Sequence, residues 1–507
     1  MGSSHERVKE AVVVTPSEAT PTCVLPLSAI DSQPFLRFTI EYLLIYKPST
    51  RLGLEHDGST LACLLKSALS KALVPYYPLA GRVRTRPDGS GQLEVVCREQ
   101  GAVFIEAVSD RTISDFTNKA PRHVTQWKKL LSVHVSDVLK GAPPLVVQLT
   151  LLKDGGAALG VGFNHCLIDG IGSAEFLNLF AELANRRVKS RPEPVWERNL
   201  LDPKPGKGIP SSTSSFVTLP EFNSVPDISG FVTRFSSERL TPTTVTFDRT
   251  SLGELKNIAQ STRLTYSTTF TSFEVLTAHV WRSWARALNL PPNQTLKLLF
   301  SINVRGRVRP NLPSGYYGNA FVLGCAQTNA KDLEEMGLWY AAGLVKAAKD
   351  RVGDEHVRAV IESVSESRAC PDSVGVLIVS QWSRLGLEKV DFGLGKPAHV
   401  GPICCDRYCL FLPVPNQREA VKVMVAVPAS AVDKIHWKDW NKFCLQKSKG
   451  GFKLALLGKQ GRRLLTRPSL VGRVFKAIYF AQCSFLLAQL GANKLCLAKC
   501  VGSANRG

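Results

Sequence analysis

The sequence predicts a mixed α/β protein built as two sizeable halves, and three observations carry that prediction. The chain is 507 residues long, well beyond the roughly 100–200 residues of an ordinary domain. Short β-branched and aromatic runs of strand length alternate with longer segments whose apolar residues recur at helical spacing. A Pro- and Ser-rich stretch from about Arg186 to Leu240 then parts two such halves. It holds Pro192-Glu193-Pro194, Pro203-Lys204-Pro205-Gly206 and Ser211-Ser212-Thr213-Ser214-Ser215, and reads as a long crossover.

In the first half, Phe38 to Tyr46 reads as a strand. Leu61, Leu64, Leu65, Ala68, Leu69 and Ala72 follow at helical spacing, and Val74-Pro75 stops the helix they mark. Tyr76 to Arg82 is a dense turn sequence. It leads into a hairpin whose strands, Val83 to Arg86 and Gln92 to Val96, flank a turn at Asp88-Gly89. Leu145 to Leu152 and Ala158 to Phe163 form a second hairpin about Asp154-Gly155-Gly156. The period then changes, and Ala174, Leu177, Phe180, Ala181 and Ala184 mark an amphipathic helix with Ser173 or Gly172 near its N-cap. The second half opens on a strand, Thr243 to Phe247. A helix follows, with an expected capping box of Ser251 and Glu254. Ser272 to Leu288 is a further helix and Leu298 to Val304 a buried strand.

A composition of 44% hydrophobic, 21% charged and 8% aromatic residues excludes a disordered or membrane-spanning chain. The formal charge of +21 would raise anionic partners, but more than half of the excess lies in residues 438–507, where Asp439 is the single acidic residue. The body is only mildly basic, which suits an anionic small molecule and gives no reason to expect a nucleic acid. Thirteen cysteines are too dilute for a disulfide framework, and Cys404, Cys405 and Cys409 read as buried small hydrophobes, not metal ligands. No metal is expected, and a reducing, cytoplasmic setting is. The polar N-terminus lacks a secretory core, and Glu6 stands where myristoylation wants Ser or Thr. Ala477 to Leu490 is too short to span a bilayer.

The chemistry concentrates at Phe163-Asn164-His165-Cys166-Leu167-Ile168-Asp169-Gly170, a loop between a buried strand and a helix. A neutral imidazole is the natural general base near neutral pH, and an aspartate four residues on can orient the ring or hold the loop. By itself the spacing is a weak signal, because two common residue types fall at it often.

His165-Cys166-Leu167-Ile168-Asp169-Gly170 resembles the HxxxDG motif of the plant BAHD acyl-CoA-dependent acyltransferases. Further blocks follow in that family's order. Asp391-Phe392-Gly393-Leu394-Gly395-Lys396-Pro397 is similar to its DFGWGKP signature. Asn303-Val304-Arg305-Gly306-Arg307, with Tyr316-Tyr317-Gly318-Asn319, resembles its N-x-R-x-R and YFGN block. Tyr76 to Arg82 and Thr268 to Trp281 match further landmarks. The resemblance covers roughly residues 10 to 437.

It implies two chloramphenicol-acetyltransferase-like domains, each a mixed β-sheet with helices, joined by a long crossover loop. The boundaries are 1–190 with the HxxxD motif, 191–242 as crossover, 243–437 with the DFGLG motif, and 438–507 as a basic extension. It also implies acyl-CoA as co-substrate, a small-molecule alcohol or, less often, amine as acceptor, and a monomer. His165 would be the general base, with no covalent acyl-enzyme. Asp169 would support the loop by pairing with Arg305. Ser380 and Trp382 would line the site near the oxyanion, in a Ser380-Gln381-Trp382 segment that matches the family's T-S-W with serine for threonine. Asp391, Gly393 and Gly395 would support the fold. An idle family member serving as an accessory protein in fatty-acid elongation is the alternative, against which the intact motifs argue.

Two departures stand out. Leu394 occupies the place of a tryptophan, which removes an aromatic packing group from a structural loop. Residues 438–507 lack a counterpart, and read as a disordered tail or as a segment foreign to the native protein. Contact with an anionic membrane through them is the lesser expectation.

Overall fold

The computed structural model describes residues 6–435 apart from 49–57, 118–120, 122, 134–137, 187–190, 204–216, 261–268, 368 and 407. The Ser211 to Ser215 run, Thr268, and the extension 438–507 with its apolar segment 477–490 therefore lie outside the described residues.

In chain order the strands are β1 (Glu6–Val14), β2 (Cys23–Pro26), β3 (Thr39–Tyr46), β4 (Arg82–Thr85), β5 (Leu93–Cys97), β6 (Ala102–Ser109), β7 (Leu145–Leu152), β8 (Ala157–Asn164), β9 (Leu240–Phe247), β10 (Thr295–Asn303), β11 (Phe321–Asn329), β12 (Val376–Gln381), β13 (His399–Pro402), β14 (Cys409–Val414) and β15 (Gln417–Pro428). The helices are α1 (Gly58–Ala72), α2 (Ser114–Thr117), α3 (Gly170–Ala184), α4 (Phe231–Ser237), α5 (Arg249–Gln260), α6 (Ser272–Leu288), α7 (Ala330–Glu335), α8 (Leu338–Asp350) and α9 (Asp354–Ser367).

The chain forms two compact units, taken over their described residues: Met1–Asp248, Asn293–Asn329 and Ala347–Val432 in one, Arg249–Pro292, Ala330–Lys346 and Asp433–Gly507 in the other. The first holds two six-stranded mixed sheets, ordered β1-β6-β7-β8-β3-β13 and β11-β10-β12-β14-β15-β9, and a small sheet β2-β5-β4. Strand β13 comes from the C-terminal half, yet it pairs antiparallel with β3, His399 opposite Ile45 and Pro402 opposite Tyr42. No local signal foretells that exchange.

The strand that leads into the motif is enclosed along its whole length. Every residue of β8 is buried, because it lies between β7 and β3 and, up to the terminal Asn164, its side chains are apolar or absent. Helix α3 packs on α1, and its Phe176, Leu177 and Phe180 are fully buried, Phe176 against Phe163 of β8 and Phe180 against Phe392.

Three local readings are corrected. The N-cap of α3 is Asp169, not Ser173 or Gly172; its side chain accepts from the N–H groups of Ile171 and Gly172, satisfying donors that the first helical turn leaves open. Strand β9 begins at Leu240 and runs through Pro242. Proline is tolerated there because β9 is an edge strand. In the second unit α5 begins at Arg249, so Ser251 lies inside the helix. The reciprocal capping box belongs to α6, where Thr271 and Glu274 each bond the other's backbone N–H.

Candidate active site

His165 stands at the mouth of β8, held by its backbone. Its N–H donates to the Phe38 carbonyl at 2.8 Å, and its own carbonyl accepts from Asn319 Nδ2 at 2.6 Å. The ring lies between Phe38, at 5.2 Å edge-on, and Phe321, at 5.7 Å between centroids. Enclosure by these rings lowers the imidazole pKa below its ordinary 6.5, the nearby Asp169 charge opposing the shift only in part. The ring is therefore neutral at pH 7. Nδ1 is buried without a hydrogen bond of good geometry, while the backbone carbonyl of His165 and the Asn319 side chain both favour the protonated ring and so oppose the shift in part. With Nδ1 enclosed, Nε2 is the ring atom left to take a proton from a substrate.

Cys166, next in sequence, is not a competing nucleophile. It is fully buried, its thiol donates to the Leu36 carbonyl at 3.5 Å, and burial pushes its pKa up to about 12.

Asp169 faces the other way. Oδ1 accepts from the N–H groups of Ile171 (3.1 Å) and Gly172 (2.9 Å) and from Arg305 Nη2 (3.0 Å); Oδ2 accepts from Arg305 Nη1 (2.8 Å) and the Ala320 N–H (3.2 Å). Arg305 also donates to the carbonyls of Tyr316 and Gly318, each at 3.1 Å. A carboxylate spent on a helix cap and a forked guanidinium has no lone pair left to orient the His165 ring.

A second buried ion pair, absent from the sequence reading, holds the loop from behind. Asp31, fully buried, accepts from Arg198 Nη1 at 3.2 Å and from Asn319 through both its backbone N–H (3.0 Å) and Nδ2 (2.8 Å). Asn319 carries the contact on to the His165 carbonyl. Arg198 Nη2 donates to the Leu167 carbonyl at 2.8 Å, and its guanidinium stacks 4.2 Å from the Trp196 ring centroid and 4.9 Å from that of Tyr317. The one trace of this in the sequence is Gly318. A Cβ there would fall 1.4 Å from Arg198 Nη1. Gly318→Ala should therefore destabilise the protein by on the order of 3 kcal/mol by displacing a buried charge from its partner, read as a lowered urea midpoint at unchanged m-value.

Trp382 is brought to the same sheet but not onto His165. Its ring packs 4.7 Å from Tyr42 on β3, and Tyr42 in turn meets Phe163 at 6.0 Å and places its hydroxyl 2.6 Å from Ser173 Oγ. Ser380 lies half-buried in β12, opposite Leu410 of β14. Neither the Ser380 hydroxyl nor the Trp382 indole N–H has a hydrogen-bond partner among the described residues. Asp391 closes the DFGLG turn, Oδ1 accepting from the N–H groups of Gly393 and Gly395, both at 2.8 Å. These glycines take φ of 91° and 87°, which side chains rarely allow. Phe392 packs into the core against Phe180 and Tyr46, and Leu394 lies partly buried beside it.

His399 is a buried histidine of a different kind. It packs edge-on to Trp127, and burial drives its pKa down to about 3. A folded-state value below the unfolded one means that the unfolded chain binds the extra proton. Stability should then fall as pH drops below about 6.5, by about 1.4 kcal/mol per pH unit from this group. Denaturant titrations at pH 7.5 and 5.5 measure the slope, and His399→Phe should flatten it.

Among the described residues no group of His, Cys, Asp or Glu is placed to hold a metal ion, and no helix is long and apolar enough to cross a membrane.

Comparison with known proteins gives one consistent result. A family model described as the Transferase family matches residues 6–441. The chain is 34% identical to the fatty alcohol:caffeoyl-CoA acyltransferase of Arabidopsis thaliana, covering 85% of this chain and 98% of that one. It is 33% identical to the taxadien-5-alpha-ol O-acetyltransferase of Taxus chinensis, covering 84% and 94%. Among solved structures it resembles TRI101 of F. graminearum, complexed with coenzyme A and deoxynivalenol, at a TM-score of 0.67 and 16% identity over 83% of this chain and 98% of that one.

Proposed function

Because the chain belongs to the transferase family of the BAHD acyl-CoA-dependent acyltransferases, whose model spans residues 6–441, we propose that it moves an acyl group from acyl-CoA to a hydroxyl of a plant specialised or lipid-type metabolite. The observation that carries this reading is the His165 imidazole, neutral, enclosed by aromatic rings, and left with Nε2 to take a substrate proton.

In the reaction, Nε2 takes the proton from the acceptor O–H as that oxygen attacks the thioester carbonyl. The carbonyl π pair moves onto oxygen, then returns as the C–S bond breaks. The coenzyme A thiolate leaves and takes the proton back from the imidazolium, so the histidine is regenerated and no acyl-enzyme forms. Ser380 and Trp382 line the site, and their unpaired O–H and N–H are the candidate donors to the oxyanion. Asp169, Arg305, Asp391, Gly393 and Gly395 hold the frame. Acyl-CoA is a co-substrate, no metal takes part in the chemistry, and the enzyme acts as a cytoplasmic monomer with the domain boundaries 1–190, 191–242 and 243–437.

Both curated relatives described above carry names of acyltransferases, which favours catalysis over an idle accessory role in fatty-acid elongation. The test is release of free coenzyme A by purified protein offered a panel of acyl-CoA thioesters with mixed alcohols. Release that depends on both substrates supports the reading, and none under any pairing overturns it.

A further inference from the structure

A small cavity has Gln33, Phe35, Glu221, Phe222 and Phe321 among its lining residues. Its volume of about 10 Å³ fits one water molecule or one hydroxyl-sized group. Phe321 belongs to both places: it lines this cavity, and its ring meets that of His165 at 5.7 Å. The cavity is thus about one aromatic ring beyond the reacting atoms.

Its polar wall is unusual. Glu221 is 1% exposed and stands 3.3 Å from Nε2 of His356, itself 3% exposed. Among the described residues that contact is the one either group makes: it falls short of hydrogen-bond geometry, and nothing else bonds the Glu221 carboxylate oxygens or the His356 ring nitrogens. The nearby buried ammonium of Lys297 does not relieve them, for it donates to the carbonyls of Pro220 and Asn223 and so fixes the segment that carries Glu221. Leaving the second carboxylate oxygen of Glu221 unsatisfied is costly, so a hydrogen-bond donor in the cavity would stabilise it.

We propose that Glu221, backed by His356, is a specificity site that accepts a hydrogen bond from a substrate hydroxyl remote from the reacting one. The inference rests on the acyltransferase reading above and names the chemistry its substrate carries. A hydroxyl on the acyl donor or a second hydroxyl on the acceptor presents the same group, and the test separates them.

In the donor arm, 4-coumaroyl-CoA is compared with cinnamoyl-CoA, which lacks only the phenolic hydroxyl. In the acceptor arm, α,ω-diols are compared with 1-alkanols of equal chain length. Wild-type kcat/KM should favour the hydroxylated member in one arm. Glu221→Leu should shrink that preference on the order of tenfold to a hundredfold, the range for a hydrogen bond to a charged group. Glu221→Gln keeps the size and an acceptor oxygen, should give an intermediate ratio, and serves if the leucine variant does not fold. A ratio unchanged by both variants, or no wild-type preference in either arm, overturns the proposal and leaves a buried water in the cavity. Turnover of no alcohol at all overturns the acyltransferase reading, and this inference with it.

Discussion

Replacing His165 by alanine is expected to lower kcat by about 100- to 10,000-fold, the range for loss of a positioned general base, while the protein still folds. The fold should survive because the residue's structural contacts run through its backbone, to Phe38 and Asn319. The pH dependence adds a second readout. Activity requires the deprotonated ring, so wild-type kcat/KM should rise with pH through an apparent value below 6.5, the direction that burial imposes on His165. The alanine variant should lose that acid limb. Stopped thiol-release assays across pH 4.5 to 8, alongside thermal melts, measure both. A variant that keeps most of its activity would move the chemistry elsewhere.

The second large effect is expected at the Asp169–Arg305 pair. Arg305→Ala leaves a 4% exposed carboxylate without its forked partner, and Asp169→Ala strands the guanidinium and uncaps α3. Each should cost about 3–5 kcal/mol of stability and most of the activity, since the loop that carries His165 is anchored at both ends. Asp169→Asn discriminates the roles. Asparagine still caps a helix but cannot pair in charge with Arg305. If Asp169 supports geometry, kcat should fall together with the melting temperature, the residual activity keeping an acid limb that moves to lower pH with loss of the carboxylate charge. If it acted on the His165 proton, kcat would fall at unchanged stability. The hydrogen bonds around Asp169 point to the first outcome.

Residues 163–184 show how much of the site is legible in the sequence. The buried run of β8, the histidine at its end and the apolar period of α3 are all local features, set by neighbours within a few positions. The N-cap of α3 is less legible, because Asp169 sits in a motif that also suits a loop carboxylate, and only its bonds to the Ile171 and Gly172 N–H groups make it the cap. The Ser251 capping box failed for a related reason: a Ser-x-x-Glu spacing recurs by chance, and only the true start of the helix tells which copy is used.

What the sequence by itself determined was the alternation of strand and helix, the crossover, the strand-to-helix loop at His165 and, through motif order, its likeness to one acyltransferase family. Each depends on periodicity or on residues close in the chain. Only the tertiary structure decided what surrounds that loop. Arg305 reaches Asp169 across 136 positions, Arg198 reaches Asp31 across 167, and Asn319 reaches Asp31 across 288. Strand β13 crosses into the first sheet, and Glu221 meets His356 beside a cavity that Phe321 shares with the base. Such pairs leave no local signature, because a buried charge finds its partner only when folding removes the water that would otherwise have satisfied it.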